Sequence, residues 1–331
     1  MVRAGLGYRH AVGWSLIIII SEKRMHTSQL DSNALNTLES KDHEPTVYLN
    51  GAFLPLSEAK VPVLDRGFIF GDGIYEVVPV YARRLFRWPE HLARLKRSLA
   101  KIRIDNPYSD SQWLALIESL IQQHPWSEQF VYLHITRGVA KRDHAFPKAS
   151  KPTVFAMTSA LQAVPQHVRR EGVAAITLDD QRWLHCDIKS ISLLGNVLAR
   201  QAAVDADAAE CIQFRDGQMT EGSSSNIWLV RHGEVLGAPV DHRILEGIRV
   251  GLMETLCHGC GIGFRNAAIS REELFQADEL LLTSATKEVL AITKVDHKPV
   301  GEGKPGPVYH RLYEAYQAAI AANGANPQAI R

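Results

Sequence analysis

The chain has 331 residues, of which 46% are hydrophobic and 22% are charged, as in an ordinary globular protein of one or two domains. Its formal net charge of +1 excludes the strong basic field that would hold nucleic acid or an anionic membrane. Four cysteines in so long a chain exclude a disulfide-rich scaffold and favour a cytoplasmic protein.

Residues 1–45 differ in character from the rest of the chain. The apolar run over residues 14–20 loosely resembles a secretion signal, but it is too short to span a bilayer and no small-residue cleavage site follows it. Residues 28–45 are polar and show no periodicity, which is typical of disorder. We predict a disordered N-terminal extension over 1–45, in preference to a functioning targeting peptide.

The body of the chain opens on a hairpin signal. Asn50-Gly51 stands between apolar pairs and predicts a two-residue turn, because such a turn needs a positive φ at both positions. Pro89 suits the first turn of a helix that apolar residues continue at helical spacing. The elements predicted are a hairpin over 47–53, a glycine-rich loop over 67–73, a strand over 74–81, helices over 89–102 and 112–124, and strands over 129–136 and 151–159.

A polar connection near residues 162–171 predicts a domain boundary, with an N-terminal domain over 46–164 and a C-terminal domain over 165–331. Ser270 and Glu273 have the spacing of a capping box before a short helix. The other elements expected are strands over 173–179, 220–230 and 279–283, a hairpin across Asp216-Gly217, and helices over 193–206, over 248–257 and from Pro307. Since strands and helices mix with hairpins, we predict two α+β domains, not one doubly wound sheet.

Lys189 is the first residue with possible catalytic chemistry. The sequence places it where a strand gives way to a helix, among small and apolar residues. In a partly dry site the neutral amine of a lysine is favoured, and it can attack a carbonyl to form a Schiff base. Taken alone this signal is weak, because a lone lysine is solvated far more often than it is catalytic.

Two further stretches each allow a structural and a chemical interpretation. Glu221 precedes a glycine and three serines, so it is either a turn carboxylate or the acidic partner of a pyridinium nitrogen. Arg142 and His144 alternate, so in an extended segment their side chains point the same way. They form either a solvated basic loop or a trap for a carboxylate. Cys257 and Cys260 lack a second metal-binding pair, so we expect free thiols and no metal site.

These stretches, in this order, resemble the fold-type IV enzymes that depend on pyridoxal 5′-phosphate (PLP). That group contains D-amino acid and branched-chain L-amino acid transaminases, (R)-amine transaminases and aminodeoxychorismate lyases. The similarity runs from about residue 47 to about residue 319, and DRGFIFGDGIYEVV over 65–78, DIKS over 187–190 and TEGSSSN over 220–226 most resemble the D-amino acid transaminases. The resemblance implies a two-domain α+β fold with the cofactor at the domain interface.

The resemblance also implies which residues bind the cofactor. Lys189 would form the Schiff base, Glu221 would meet the pyridine nitrogen, and Arg94 would hold the phosphate. By helical spacing alone Arg94 would be solvated, since it lies off the apolar face. The remaining positions implied are Leu245 against the ring and Ile248, Arg249 and Ala285 at the phosphate. The last two depart from the threonines that the family often has there, and Ser284 or Thr286 is a substitute source of the hydroxyl.

For the substrate, the resemblance implies a carboxylate trap of Tyr75, Arg142 and His144, the last two reaching the site from the other subunit of a homodimer. The activity implied is ping-pong transamination of D-amino acids, of the D-alanine type, with a 2-oxo acid such as 2-oxoglutarate as acceptor. An aminodeoxychorismate lyase and a branched-chain L-amino acid transaminase are alternatives with the same cofactor residues, and the trap disfavours both. An inactive PLP-binding relative is a third alternative, suggested only by the two departures at the phosphate.

Overall fold

The computed structural model describes residues 44–325, so the predicted disordered extension lies outside the described residues except for Glu44 and Pro45. Two β-sheets with helices packed against them make an α+β fold, as the sequence predicts. The last strand of the first sheet ends at Ala160, and the first strand of the second sheet begins at Val173. Residues 162–171 therefore lie between the two sheets, which is compatible with the predicted domain boundary. Within residues 44–325, none of the helices has the length and apolar character needed to cross a bilayer.

The first sheet has six strands in the order β2-β1-β6-β5-β3-β4, and every neighbouring pair is antiparallel. Its strands are β1 (Thr46–Leu49), β2 (Ala52–Pro55), β3 (Gly73–Tyr81), β4 (Arg84–Leu85), β5 (Gln129–Thr136) and β6 (Thr153–Ala160). The helices of this half are α1 (Arg66–Phe70), α2 (Trp88–Lys101) and α3 (Asp110–Gln122), and a 3₁₀ turn covers Leu56–Glu58. Helix α4 (Gln166–Glu171) leads to the second sheet.

The second sheet has nine strands, in the order β12-β11-β10-β13-β14-β7-β8-β9 with β15 paired to β14. They are β7 (Val173–Asp179), β8 (Glu210–Arg215), β9 (Gln218–Gly222), β10 (Asn226–Arg231), β11 (Glu234–Gly237), β12 (Gly263–Asn266), β13 (Glu279–Ser284), β14 (Glu288–Val295) and β15 (Lys298–Pro299). The helices of this half are α5 (Leu194–Asp205), α6 (Ile248–Gly259), α7 (Arg271–Phe275) and α8 (Pro307–Ala325).

Successive side chains of a strand point to opposite faces of the sheet, so one face packs against helices and the other is available for a cavity. On β3, Ile74 and Val78 point into a core formed with helices α2 and α3, whereas Tyr75 and Val77 line a cavity on the opposite face. Strand β13 is buried on both faces, which explains its continuous apolar run. Leu281 joins the core under α6 and α8, and its neighbours in the strand join the core on the other side.

The two sheets meet where β3 has a free edge. Strand β4 is so short that it pairs only with the last two residues of β3, which leaves the N-terminal half of that edge open. The segment around Lys189 occupies it: Tyr75 N donates to Lys189 O at 3.0 Å, and Ile191 N donates to Gly73 O at 3.1 Å. This pairing fixes Lys189 between the two sheets.

The structure corrects three local predictions. The glycine-rich stretch 67–73 is not all loop, because Asp65 caps helix α1 by accepting a hydrogen bond from Gly67 N at 2.8 Å. The polar connection 162–171 contains helix α4. Lys189 does not lie at a junction of strand and helix, since β7 ends at Asp179 and α5 begins at Leu194, with irregular backbone between them.

Candidate active site

A cavity of about 310 Å³ lies between the two sheets and is lined by residues of both. The first sheet and its helix contribute Tyr75 and Arg94, and Lys189 comes from the connecting segment. The second half contributes three more of the predicted site residues, Glu221, Leu245 and Ala285. Most of the site residues expected from the sequence are therefore brought to one cavity.

Lys189 presents its amine beside Tyr75. Its Nζ lies 4.0 Å from the centre of the Tyr75 ring, over the ring face, and the side chain is half-buried. The backbone is fixed on both sides of the residue, since Lys189 N donates to Ser98 Oγ at 3.4 Å and its carbonyl accepts from Tyr75 N. The amine is thus held at a defined place on the cavity wall.

Glu221 is a buried carboxylate with two kinds of partner. Leu245 N lies 3.1 and 3.2 Å from its two oxygens, and Arg182 Nη1 donates to Oε1 in a short ion pair. Burial raises the pKa of Glu221 above its usual value, and the guanidinium of Arg182 works against that rise. The cation thus offsets part of the effect of burial, which favours the neutral form of the carboxyl group.

Arg182 is itself held by Asp180, a contact that the sequence did not reveal. Its Nε and Nη2 donate to the two oxygens of Asp180 at 2.9 and 2.8 Å, the bidentate geometry that suits a guanidinium. Asp180 also accepts from the Thr220 hydroxyl at 3.0 Å and pairs with Arg215 at 3.0 Å. No periodic or motif signal marks Asp180 and Arg182, because they lie in an irregular loop whose contacts with Thr220 and Glu221 of strand β9 depend on how the chain folds.

Arg94 is buried, contrary to what helical periodicity alone indicates. Its Nε and Nη2 donate to the two oxygens of Glu76 at 2.7 and 2.8 Å, and Nη1 donates to Glu246 O at 3.3 Å. Burial opposes charge on Glu76, but Arg94 and His91 prevail and hold the pKa of Glu76 far below its usual value. Glu76 therefore fixes the guanidinium that lines the cavity, a role that sequence reasoning missed.

A loop of small residues over 222–225 forms another wall of the cavity. Buried Glu210 holds it: Ser223 N and Ser225 Oγ donate to its carboxylate at 2.9 and 2.8 Å. A Cβ on Gly222 would come within 2.3 Å of Ser225 Oγ and would push that hydroxyl away from Glu210, so the close approach favours glycine. The serines that the sequence singled out after Glu221 thus serve to build the loop, with Glu210 as their missed partner.

The predicted phosphate positions are divided between the cavity wall and the start of helix α6. Ala285 lines the cavity together with Ser284 and Thr286, and Ser284 Oγ accepts from Lys287 N at 3.0 Å. Ile248 is buried at the first turn of α6, and Arg249 follows it in the helix. Both belong to a twelve-residue helix, whose free N–H groups and dipole favour an anion at its N-terminus.

Arg142 and His144 lie outside the cavity of their own chain, on an exposed irregular loop. The loop is not a strand, yet both side chains turn toward Phe70. The Arg142 guanidinium carbon lies 5.5 Å from the centre of the Phe70 ring, and the His144 ring lies 5.3 Å from it. The two side chains therefore lie on the same side of the loop, beside Phe70, although the segment is not the extended strand that the alternation argument assumes.

The comparisons with known proteins identify the family. The sequence profile described as amino-transferase class IV matches residues 73–295. A D-alanine aminotransferase of Bacillus licheniformis is 39% identical over 279 residues, which make up 84% of this chain and 98% of that protein. This chain belongs to the class IV aminotransferase family. The predictions of the family, of an aminotransferase activity and of the fold-type IV architecture are thereby confirmed.

Further relatives and solved structures agree with the assignment. The D-alanine aminotransferase of Staphylococcus aureus strain MSSA476 is 38% identical over 84% of this chain and 98% of its own length. A branched-chain amino acid aminotransferase of T.th., solved with pyridoxamine 5′-phosphate, superposes with a TM-score of 0.80 at 25% identity, over 86% of this chain and 96% of that chain. A hypothetical aminotransferase from Mycobacterium tuberculosis in its PLP-bound form has the same fold, with a TM-score of 0.72 at 24% identity, over 84% and 99%.

Proposed function

We propose that this class IV aminotransferase transfers the amino group of D-amino acids, with D-alanine as the reference substrate, to a 2-oxo acid such as 2-oxoglutarate. The observation that carries the proposal is the 39% identity to a D-alanine aminotransferase over nearly its full length. The branched-chain amino acid aminotransferase shares the fold but is only 25% identical. A shared fold does not determine a substrate, so the higher sequence identity weighs more.

The cofactor is pyridoxal 5′-phosphate, and the cavity offers groups of the right chemistry for it. An amine at Lys189 suits an aldehyde, a buried carboxylate at Glu221 suits a protonated ring nitrogen, and the Arg94 guanidinium suits a phosphate. The volume is also that of a small-molecule site. When bound, PLP supplies an electron sink for the charge that develops on the α-carbon of the substrate.

The roles of the chain's own residues follow from these contacts. Lys189 Nζ, once free, would carry the proton from the α-carbon of the amino acid to the C4′ carbon of the cofactor, and would carry it in the opposite direction in the second half-reaction. Glu221 would hold a proton at the ring nitrogen, and Arg182 beside it favours the charged form of the carboxylate that this role needs. Arg94 and the amides of Ile248 and Arg249 bind the phosphate and so fix the ring relative to Lys189.

Binding of the substrate carboxylate is assigned to Tyr75, Arg142 and His144, within a homodimer. Tyr75 lines the cavity, whereas Arg142 and His144 are exposed on a loop outside it. That loop pairs with the chain around residues 64–66, and exposed apolar side chains lie on both segments; Val61, Val63, Leu64, Phe68 and Val139 are here called the exposed apolar patch. Phe68 is 76% exposed and Val63 is 71% exposed, which favours a second subunit covering the patch. Such a subunit would bring its own loop to this cavity.

The absorption spectrum of the PLP-loaded enzyme tests the substrate class. We expect the visible band of the bound cofactor to disappear with D-alanine and to stay unchanged with L-leucine. A Lys189→Ala variant serves as the control, since it lacks the amine that moves the proton. Bleaching by L-leucine alone would assign the enzyme to the branched-chain group, and a band that neither amino acid changes would favour a lyase or an inactive relative.

A further inference from the structure

The loop over residues 138–147 carries Arg142 and His144 but has little regular hydrogen bonding of its own. Its first residues pair with the chain around the start of helix α1: Arg66 N donates to Gly138 O at 2.9 Å, and Ala140 N donates to Leu64 O at 3.3 Å. Beyond Ala140 the backbone is irregular and the side chains are exposed. Something other than backbone pairing must therefore define where Arg142 and His144 point.

The Arg66 side chain is placed to do this. It is 3% exposed, and its guanidinium donates to three successive carbonyls of the loop, those of Asp143 at 2.5 Å, His144 at 3.4 Å and Ala145 at 3.3 Å. A guanidinium presents its donors in a rigid fork, so one residue can orient several carbonyls at once. Because these carbonyls face Arg66, the side chains of the loop residues that carry them point toward solvent.

Phe70 completes the arrangement from the same helix. Arg66 and Phe70 are the first and last residues of α1, four apart and hence on one face of the helix. The Arg66 guanidinium carbon lies 4.9 Å from the Phe70 ring centre, on a ring that Arg142 and His144 also contact. A cation over an aromatic face is attracted to it, so Phe70 gives Arg142 a preferred position in the loop.

Asp72 balances the buried charge of Arg66. Its Oδ2 accepts from Arg66 Nε at 2.7 Å and from Arg137 Nε at 2.8 Å. Burial disfavours the charged form of Asp72, but the two guanidinium groups prevail and lower the pKa of Asp72. Arg137 in turn lies 3.7 Å from the centre of the Phe146 ring, at the far end of the loop. Asp72 thus connects Arg66, which binds the loop carbonyls, with Arg137, which contacts Phe146 of the same loop.

We propose that Arg66, together with Phe70, is a positioning residue for the substrate-carboxylate trap: it holds the 138–147 loop in the conformation that presents Arg142 and His144. The inference rests on the proposed function of these two residues. It gives the segment over 65–72 a specific task in substrate binding, although none of its side chains lines the cavity of its own chain. Loss of the clamp should weaken binding of carboxylates while the cofactor residues of the same chain stay in place.

The test compares Arg66→Lys with Arg83→Lys as a matched control. Lysine keeps the charge beside Asp72 but lacks the fork, so the carbonyl contacts are lost. Arg83 makes an equivalent clamp on another loop, with its guanidinium donating to the carbonyls of His124, Trp126 and Ile121 at 2.9, 3.1 and 2.9 Å. Phe70→Leu is a second variant, which carries the test if Arg66→Lys does not fold.

Two small nucleophiles separate carboxylate binding from cofactor chemistry. Aminooxyacetate and O-methylhydroxylamine both react with the lysine-bound cofactor and bleach its visible band, but only aminooxyacetate carries a carboxylate. With Arg66→Lys we expect the reaction with aminooxyacetate at low concentration to slow about tenfold and the KM of D-alanine to rise by about the same factor. The rate with O-methylhydroxylamine, kcat and PLP affinity should stay within about twofold of the parent protein, as should all values for Arg83→Lys.

Arg142→Ala, measured beside these variants, keeps the two proposals distinguishable. If Arg142→Ala slows only aminooxyacetate and Arg66→Lys behaves like Arg83→Lys, the clamp is wrong and the trap stands. Equal slowing of both nucleophiles in Arg66→Lys also overturns the clamp, because it shows general damage to the site. If Arg142→Ala itself leaves the aminooxyacetate rate unchanged, the proposed function of the trap is what fails.

Discussion

At the residue scale, the pairing of Arg182 with Glu221 gives the first prediction. Arg182→Gln removes the cation from a carboxylate whose pKa burial already raises. Glu221 then becomes more basic and draws the proton away from the ring nitrogen of the cofactor, which weakens the electron sink. We expect kcat to fall about tenfold or more, since one pKa unit corresponds to about a factor of ten.

The pH dependence has a definite sign. A carboxylate with a raised pKa loses its charge as pH falls through that pKa, so the acid limb of the kcat profile should move to higher pH in Arg182→Gln. Arg215→Gln is the matched control, because Arg215 contacts Asp180 at 3.0 Å but is not among the contacts of Glu221. A superimposable acid limb in Arg182→Gln and the parent protein would contradict the assignment.

Individual site residues were predictable from the sequence only in part. Lys189, Glu221 and Arg142 were each ambiguous by themselves, and the family resemblance supplied their roles. The residues that hold these side chains in place, such as Glu76 and Arg182, had no recognisable sequence pattern. An ion pair between distant segments depends on how the chain folds. The reason that Arg94 is buried is likewise invisible in helical periodicity, since its partner Glu76 lies on strand β3.

At the scale of elements, long periodic segments were predictable and short ones were not. The strand expected over 129–136 is β5 at the same residues, and the helix expected over 89–102 is α2 at Trp88–Lys101. Helix α1 was missed because five residues that include Gly67 have little helical signal, and tertiary contacts stabilise the helix. One of these is the hydrogen bond from Thr153 Oγ1 to the α1 cap Asp65 at 2.6 Å.

The end of α1 gives a prediction at this scale. Gly71 ends the helix with φ of 65°, and a Cβ there would come within 2.5 Å of Ser192 Oγ, close to Lys189 in the chain. Gly217 has φ of 74° and no atom within 4 Å of an added Cβ. Alanine at either position costs about 1 kcal/mol in backbone strain, but only Gly71→Ala also crowds Ser192, in the segment that carries Lys189.

We therefore expect Gly71→Ala to lower the melting temperature more than Gly217→Ala does, and to weaken PLP binding, which Gly217→Ala leaves unchanged. Thermal unfolding and titration of the apoprotein with PLP measure the two effects separately. Equal melting temperatures and equal PLP dissociation constants for the two variants would show that α1 does not support the lysine segment.

At the scale of the whole molecule, sequence patterns do not decide whether the site is shared between subunits, because alternation of Arg142 and His144 says nothing about which cavity they serve. The structure separates the two groups of residues. Lys189 and Glu221 line one cavity of the chain, whereas Arg142 lies outside it beside the exposed apolar patch. This separation makes an experiment with hybrid dimers decisive.

Co-expression of two differently tagged variants, followed by purification through both tags, isolates hybrids of Lys189→Ala with Arg142→Ala. If Arg142 acts across the interface, the Arg142→Ala subunit keeps its Lys189 and receives an intact Arg142 from its partner. One of the two sites is then complete, and at low D-alanine the hybrid should have about half of the parent activity per dimer. Each variant alone should have almost none under those conditions.

A hybrid of Lys189→Ala with Glu221→Ala is the matched control, because both residues serve the same cavity of one chain. Neither site of that hybrid is complete, so it should stay inactive. Rescue in the first hybrid and not in the second requires a carboxylate trap shared between subunits. Without rescue in either, Arg142 would have to act within its own chain or not at all, and the exposed patch would lose its connection to catalysis.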